Sequence, residues 1–371
     1  MRILFLLSSL QTGGAERVAA TLANAWVEKG HAVDLIPTYG GATERCAFTL
    51  RSAVEVKPLA RSIGSKGRLP AKVAALRKLM AGGSYDVVCS FLTNVNVTAL
   101  LAGLGTNMPI VVSERSFPPS YAIGAPLTLA RRALYPFADR VVMQTEEGLS
   151  WLHRAIPGAR GAAVANALTF PVADREPTQR VSERIGAQRR MLLAVGRLST
   201  EKRFGWLIEQ FARLAADLPD WDLVIAGDGP QRATLEARCH AIDSGERIKL
   251  VGEVGNLDDW YRRADAFALV SRFEGYPNAL AEAASYGVPA LAIDCPTGPS
   301  QLVIDGETGV LLPRTATGAD LRDGLARLLC GRYPASEAWA RTIRQRLDTG
   351  RVAGQWLEIF EMAITARRGR R

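Results

Sequence analysis

The sequence predicts an α/β protein built from two doubly wound parallel-sheet domains, and three observations carry that expectation. The chain has 371 residues, which corresponds to about two domains at roughly 100–200 residues each. Apolar runs of β type alternate with helical patterns, break at a proline-bearing stretch, and then resume. Strands alternating with helices across short, Gly-marked turns indicate parallel sheets covered on both faces. Composition agrees: with 48% hydrophobic and 22% charged residues, the chain can bury real cores and is neither disordered nor fibrous.

Strand patterns in the first half occupy residues 2–8, 32–38, 54–58, 87–91, 110–113, 140–144 and 162–164, with a helical period over 15–29 that stops at Gly30. The start, Met1-Arg2 followed by an apolar run over 3–7, superficially imitates a secretion signal. That run is short and leads into Gly13-Gly14 and Glu16-Arg17 instead of a small-residue cleavage site, so it reads as a first strand. Residues 170–190 hold Pro171, Pro177 and mixed charges without an apolar period, the texture of a linker. Beyond it, strands are expected over 191–196, 222–227, 248–251, 266–270 and 290–293, and helices over 204–218, 231–240, 257–264 and 279–286. The segment 338–366 looks helical, ahead of a basic tail at 367–371. These patterns divide the chain into a domain at 1–171, a linker at 172–189, a domain at 190–345 and a final helical segment at 346–371.

Several function classes lose ground at once. No stretch approaches the roughly 18 apolar residues that span a bilayer. The five cysteines (Cys46, Cys89, Cys239, Cys295, Cys330) are scattered, and with three histidines they form no metal-ligand spacing. Reduced thiols in the cytosol are the simplest account.

The formal charge is +9 and lies mostly in the first half, where residues 1–171 hold 18 Lys and Arg against 10 Asp and Glu. Between Arg51 and Lys78 there are eight basic residues and one acid, Glu55. At 100° per residue, Leu69, Val73, Leu76 and Met80 form one apolar stripe there, flanked by Lys72 and Arg77 with their heads expected in water. A solvated helix face and an anionic membrane or lipid-diphosphate partner both fit. Nucleic acid fits poorly, because stacking aromatics and recognition motifs are missing.

Three stretches carry chemistry. A first strand runs into Gly13-Gly14 and then opens a helix, an arrangement that lets backbone amides approach a phosphate, although an ordinary tight turn looks the same. The spacing is not GxGxxG, which counts against a nicotinamide enzyme. Arg197 and Lys202 follow a strand end and precede a helix, where they suit a leaving diphosphate that gains negative charge. Around a Gly-x-Pro loop, Glu274 and Glu282 bracket a helix start near Asn278, whose amides can hold a phosphate or hydroxyl. Glu282, one turn into that helix, suits a polyol.

Taken together, GGAER at 13–17, GRLSTEK at 196–202, AGDGP at 226–230, EGYPNALAE at 274–282 and DGETGVLLP at 305–313 resemble retaining glycosyltransferase family 4, of GT-B fold, along nearly the whole chain. FLTN at 91–94, VSER at 112–115 and AIDCPTGPSQL at 292–302 are similar to a bacterial subgroup that builds polysaccharide repeat units and lipid-linked glycans. That subgroup includes N-acetylgalactosaminyl and amylovoran-type transferases. The resemblance implies two Rossmann-like domains facing a central cleft, with the final helix returning to the first domain. It implies Gly13 and Gly14 behind the donor diphosphate, Arg197 and Lys202 neutralising it, and Glu282 on the ribose. Glu274 would meet the donor sugar, the amides of Asn278, Ala279 and Leu280 the phosphates, and the Val254 backbone the base. Many relatives carry His after the acid aligned with Glu114; here Arg115 stands there, which a front-face mechanism with the leaving phosphate as base tolerates. Lys72, Arg77, Lys78, Glu114 and Arg115 are then expected toward acceptor or membrane.

Asp220-Trp221-Asp222 spells a metal motif but lies in a helix-to-strand connection. His153 reads as structural, and Asp258-Asp259 as a helix cap. The expectation is a metal-independent retaining transferase at the inner face of the cytoplasmic membrane. It would move a hexose or N-acetylhexosamine from a UDP-sugar to a polyprenyl-diphosphate-linked glycan, with no cofactor and no nucleic acid partner. GDP-mannose, another lipid or a soluble acceptor, and a silent nucleotide-binding or scaffold subunit are the alternatives.

Overall fold

The computed structural model describes residues 1–11, 13–64, 67–82, 84–243, 245–331 and 333–369. The chain divides into two compact units, Met1–Ala167 with Leu347–Arg371, and Leu168–Arg346.

The first unit runs β1 (Arg2–Leu7), α1 (Gly14–Glu28), β2 (Ala32–Pro37), β3 (Val54–Val56), α2 (Ala60–Ile63), α3 (Leu69–Ala81), β4 (Val87–Phe91), α4 (Thr93–Gly103), β5 (Ile110–Ser113), α5 (Ala125–Leu134), β6 (Arg140–Met143), α6 (Glu146–Ala155) and β7 (Gly161–Ala163). Its seven strands order as β3-β2-β1-β4-β5-β6-β7, and each neighbouring pair is parallel. Both faces are covered, which is why the strands read as continuous apolar runs. Val18, Leu22 and Trp26 of α1 fill one face, and Leu76, Leu100, Tyr135 and Leu152 lie under the other.

The second unit runs β8 (Arg190–Val195), α7 (Phe204–Leu214), β9 (Trp221–Ala226), α8 (Arg232–His240), β10 (Ile248–Gly252), α9 (Leu257–Arg263), β11 (Ala266–Leu269), α10 (Asn278–Ser285), β12 (Ala290–Asp294), β13 (Gly309–Pro313), α11 (Gly318–Cys330) and α12 (Glu337–Arg346). Its sheet orders as β10-β9-β8-β11-β12-β13, again all parallel. In both sheets the order reverses beside the first strand, at β1/β4 and β8/β11. Ligands of such sheets bind beyond the strand C-termini at that switch point.

Three expectations gain detail. The helical segment over 338–366 is two helices, α12 and α13 (Thr349–Arg368), because Asp348 caps a new start by accepting the Arg351 amide at 2.8 Å. α12 belongs to the second unit and α13 to the first, where Trp356 and Phe360 pack on Trp26 with ring centroids 6.3 and 5.2 Å away. The proline-bearing segment is tied down: Gln179 Nε2 donates to the carbonyls of Val251 and Glu253 at 2.9 and 3.0 Å. The helix from Phe204 stops at Leu214, and Arg247 covers the carbonyls of Ala215 and Leu218 beyond it. α4, α5, β13 and α11 went unrecognised as elements, although Thr317 and Asp320 form a reciprocal capping box at the start of α11.

Candidate functional site

The loop after β8 is shaped by a backbone-to-backbone approach. Gly227 and Gly229, which follow β9, lie against it so closely that added Cβ atoms would sit 2.0 Å from the Gly196 carbonyl oxygen and 2.5 Å from that of Leu198. Leu198 in turn donates to the Asp228 carbonyl and accepts from the Gln231 amide, both at 2.9 Å. This frame leaves Arg197 exposed at the strand end. A single 3-10 turn, Thr200–Lys202, follows.

Lys202 crosses Gly196 and places Nζ 2.6 Å from Glu274 Oε1. The Arg272 amide donates to the Glu201 carbonyl at 2.8 Å, so the loops after β8 and β11 are joined at backbone and side chain. Thr297, in the loop after β12, donates from Oγ1 to the Glu274 carbonyl at 2.5 Å. Cys295 is buried beside this pair; burial, with the Glu274 charge, pushes its thiol up to about 12.

α10 begins at Asn278 after Pro277, which leaves the Ala279 and Leu280 amides in a first turn with no intrahelical acceptor. Glu282 lies one turn on and is 4% exposed. Its Oε2 accepts from the Tyr261 hydroxyl at 2.9 Å, and Tyr261 stacks on Tyr286 at 5.5 Å. Both glutamates are thus buried and held. Val254 is buried in the loop after β10, where only its backbone can meet a ligand. Sequence reasoning missed Tyr261 and Thr297; Thr297 lies within the flagged 292–302 string, whereas Tyr261 carried no signal.

In the first unit, Gly13 stands in extended backbone at the α1 N-terminus and Gly14 opens the helix. A Cβ on Gly13 would meet Glu16 Oε2 at 2.2 Å. Burial pushes the Glu16 carboxyl above its usual range.

Glu114, Arg115 and Lys72 are buried, and Lys72 thereby departs from the solvent-facing head expected of it. Glu114 is 1% exposed; Thr93 donates to it at 2.8 Å, Tyr135 donates to it as well, and Arg131 lies 3.8 Å away. β5 is an interior strand, so the residue following it runs beneath α4. FLTN and VSER therefore meet in one buried network. Arg115 donates to Asn166, lies 4.2 Å over the Phe91 ring, and is pushed down to about 9 by burial. Lys72 turns inward, donating to the Thr38 carbonyl at 3.1 Å over the Tyr39 ring at 3.7 Å. Arg77 and Lys78 remain exposed, and Arg77 donates to the Leu104 carbonyl.

The metal lookalike is also accounted for. Asp222 faces Arg189 at 2.6 Å and Lys249 at 3.6 Å. Among the described residues, no group of three or more His, Cys, Asp or Glu is placed to hold a metal ion, and no helix is long and apolar enough to cross a membrane.

Two parallel doubly wound units with polar side chains beyond their switch points make a GT-B fold. Solved structures share this fold over the whole chain. Sucrose-phosphate synthase from Thermosynechococcus elongatus has a TM-score of 0.81 at 19% identity, covering 99% of this chain and 100% of that one. Anabaena Alr3699/HepE, solved in complex with UDP and glucose, has a TM-score of 0.75 at 19% identity, covering 97% and 99%.

Residues 12–167 match the model of the family described as Glycosyltransferase Family 4, and residues 175–346 that of Glycosyl transferases group 1. The chain belongs to glycosyltransferase family 4, and it is an enzyme of glycan assembly. A Campylobacter jejuni relative is 28% identical over 89% of this chain and 88% of its own length. It is the GalNAc-alpha-(1->4)-GalNAc-alpha-(1->3)-diNAcBac-PP-undecaprenol alpha-1,4-N-acetyl-D-galactosaminyltransferase. The amylovoran biosynthesis glycosyltransferase AmsD of Erwinia amylovora is 25% identical over 82% and 84%.

Proposed function

We propose that this enzyme transfers a hexose or N-acetylhexosamine, with retention, from a UDP-sugar to a polyprenyl-diphosphate-linked glycan. The observation that carries the reading is the Lys202–Glu274 pair at 2.6 Å beside the α10 start, with Glu282 buried one turn on. A cation, free helical amides and two held carboxylates suit a diphosphate, a sugar and a ribose together. The acceptor follows the printed activity of the Campylobacter relative.

In this scheme the bond from the sugar C1 to the β-phosphate oxygen breaks as the acceptor oxygen bonds to C1 on the same face. The acceptor proton passes to the departing phosphate. Arg197 and Lys202 take up the charge that develops, Glu274 orients the sugar, and Glu282 accepts from the ribose. The Val254 backbone meets the base. No step needs a metal ion. Arg77 and Lys78 face an anionic membrane or the lipid diphosphate; Lys72, Glu114 and Arg115 support the first unit from inside.

Calorimetric titration with UDP, GDP and NAD in the absence of divalent metal tests the donor site. UDP binding that is lost in Glu282→Ala is the expected result. GDP preference redirects the donor to the mannose type, and no binding of UDP or GDP overturns the site.

A further inference from the structure

α5 carries apolar residues on both faces, Leu134 packed against the core and Leu129 pointing outward. A surface helix ordinarily turns its apolar stripe to the core, yet the one buried residue of α5 is Arg131. Its guanidinium is spent inward on Glu114 at 3.8 Å and over the Trp151 ring at 5.1 Å. At 100° per residue, the opposite face carries Ala125, Pro126, Leu129, Arg132 and Ala133, and all five are exposed. Leu129 is 69% exposed, and Tyr121 and Phe137, before and after the helix, are 51% and 57% exposed. Residues 117–130 contain no charged residue at all.

The side of α5 toward α4 and α3 is one-signed. From Lys57 to Ala138 there are ten Lys and Arg but two acids, Asp86 and Glu114. Neither lies on a helix, and Glu114 is buried. The helices α2, α3, α4 and α5 carry none, and α4 packs between α3 and α5 on one face of the sheet. An outward leucine between two aromatics, with an arginine able to snorkel beside it, suits the headgroup boundary of a bilayer. The acid-free layer on its α4 side suits anionic lipid; on the other side α6, whose Trp151 meets Arg131, carries Glu146 and Glu147 in its first turn.

We propose that the outer face of α5, centred on Leu129, is the element that inserts into an anionic bilayer, while α3 contributes only long-range attraction through Arg77 and Lys78. This rests on the membrane-linked acceptor proposed above and names the surface that meets the lipid.

Co-sedimentation with phosphatidylcholine vesicles, with and without phosphatidylglycerol, tests it. Wild type should bind the anionic vesicles, Leu129→Asp at least tenfold more weakly, and Leu129→Trp at least as well as wild type. All three should show the same far-ultraviolet circular dichroism and cooperative thermal unfolding, which report an intact fold. Equal vesicle binding by Leu129→Asp and wild type overturns the α5 assignment and leaves the membrane reading standing. Absence of vesicle binding by wild type overturns both. Sedimentation velocity without lipid covers the other occupant: a wild-type dimer that Leu129→Asp converts to monomer assigns this face to a second copy and overturns the proposal.

Discussion

Lys202 Nζ lies 2.6 Å from Glu274 Oε1, a contact spanning 72 residues of sequence. It joins the loops that follow the two central strands of the second sheet, and each partner keeps the other from being a lone, partly buried charge.

Lys202→Ala is therefore expected to act twice. Loss of a charge-stabilising donor lowers kcat by roughly 10²–10³ with a smaller change in KM. Leaving Glu274 without its partner costs about 1–3 kcal/mol of stability. Steady-state kinetics and urea unfolding separate the two effects.

Gly229→Ala tests the frame around Arg197. The new Cβ would press on the Leu198 carbonyl at 2.5 Å, and backbone cannot step aside, so a loss of about 2–3 kcal/mol is expected. Gly354→Ala, inside α13 with nothing within 4 Å of its Cβ position, should instead stabilise by about 0.5–1 kcal/mol. Thermal unfolding of both variants checks the contrast.

Asp34 sets an acid dependence in the first unit. Burial pushes its carboxyl up, but hydrogen bonds from Tyr85, Lys57 and Arg2 outweigh that and hold it below its usual 3.8. The group therefore stabilises the fold above pH 3.8, and the contribution disappears as pH falls through the lower folded-state value. Asp34→Asn should be less stable than wild type at neutral pH, with the gap closing in acid. Urea titrations across that range measure it.

Lys72→Met is expected to leave vesicle binding unchanged, since the ammonium is turned inward under Tyr39. Losing the bond to the Thr38 carbonyl should cost about 1 kcal/mol. Lys78→Glu should weaken vesicle binding and leave stability within about 0.5 kcal/mol.

The strands were legible because a doubly covered parallel sheet turns each one into an unbroken apolar run, as in Ile3 to Leu7. The loops that bear Arg197, Lys202 and Glu274 were legible because glycine punctuates the strand ends. α5 was not, because Leu129 faces outward while a charged residue, Arg131, holds the buried position of its inner face, which blurs the apolar period. Lys72 misled for a related reason. Its four-carbon stem fits either side of a helix stripe, and the Thr38 carbonyl and the Tyr39 ring, which decide the side, lie more than thirty residues away. Tyr261 escaped notice because only the fold carries α9 to α10.

The return of α13 to the first unit has a consequence for synthesis. Trp26 and Phe91 find their cover in Trp356 and Phe360, residues that leave the ribosome after the whole second unit. The second unit, Leu168–Arg346, is complete before them. The usual order, in which the N-terminal domain finishes first, is thus inverted. The first sheet waits with an uncovered aromatic face while the second closes, and a nascent chain released before residue 347 keeps that face open to the chaperones that bind exposed apolar surface.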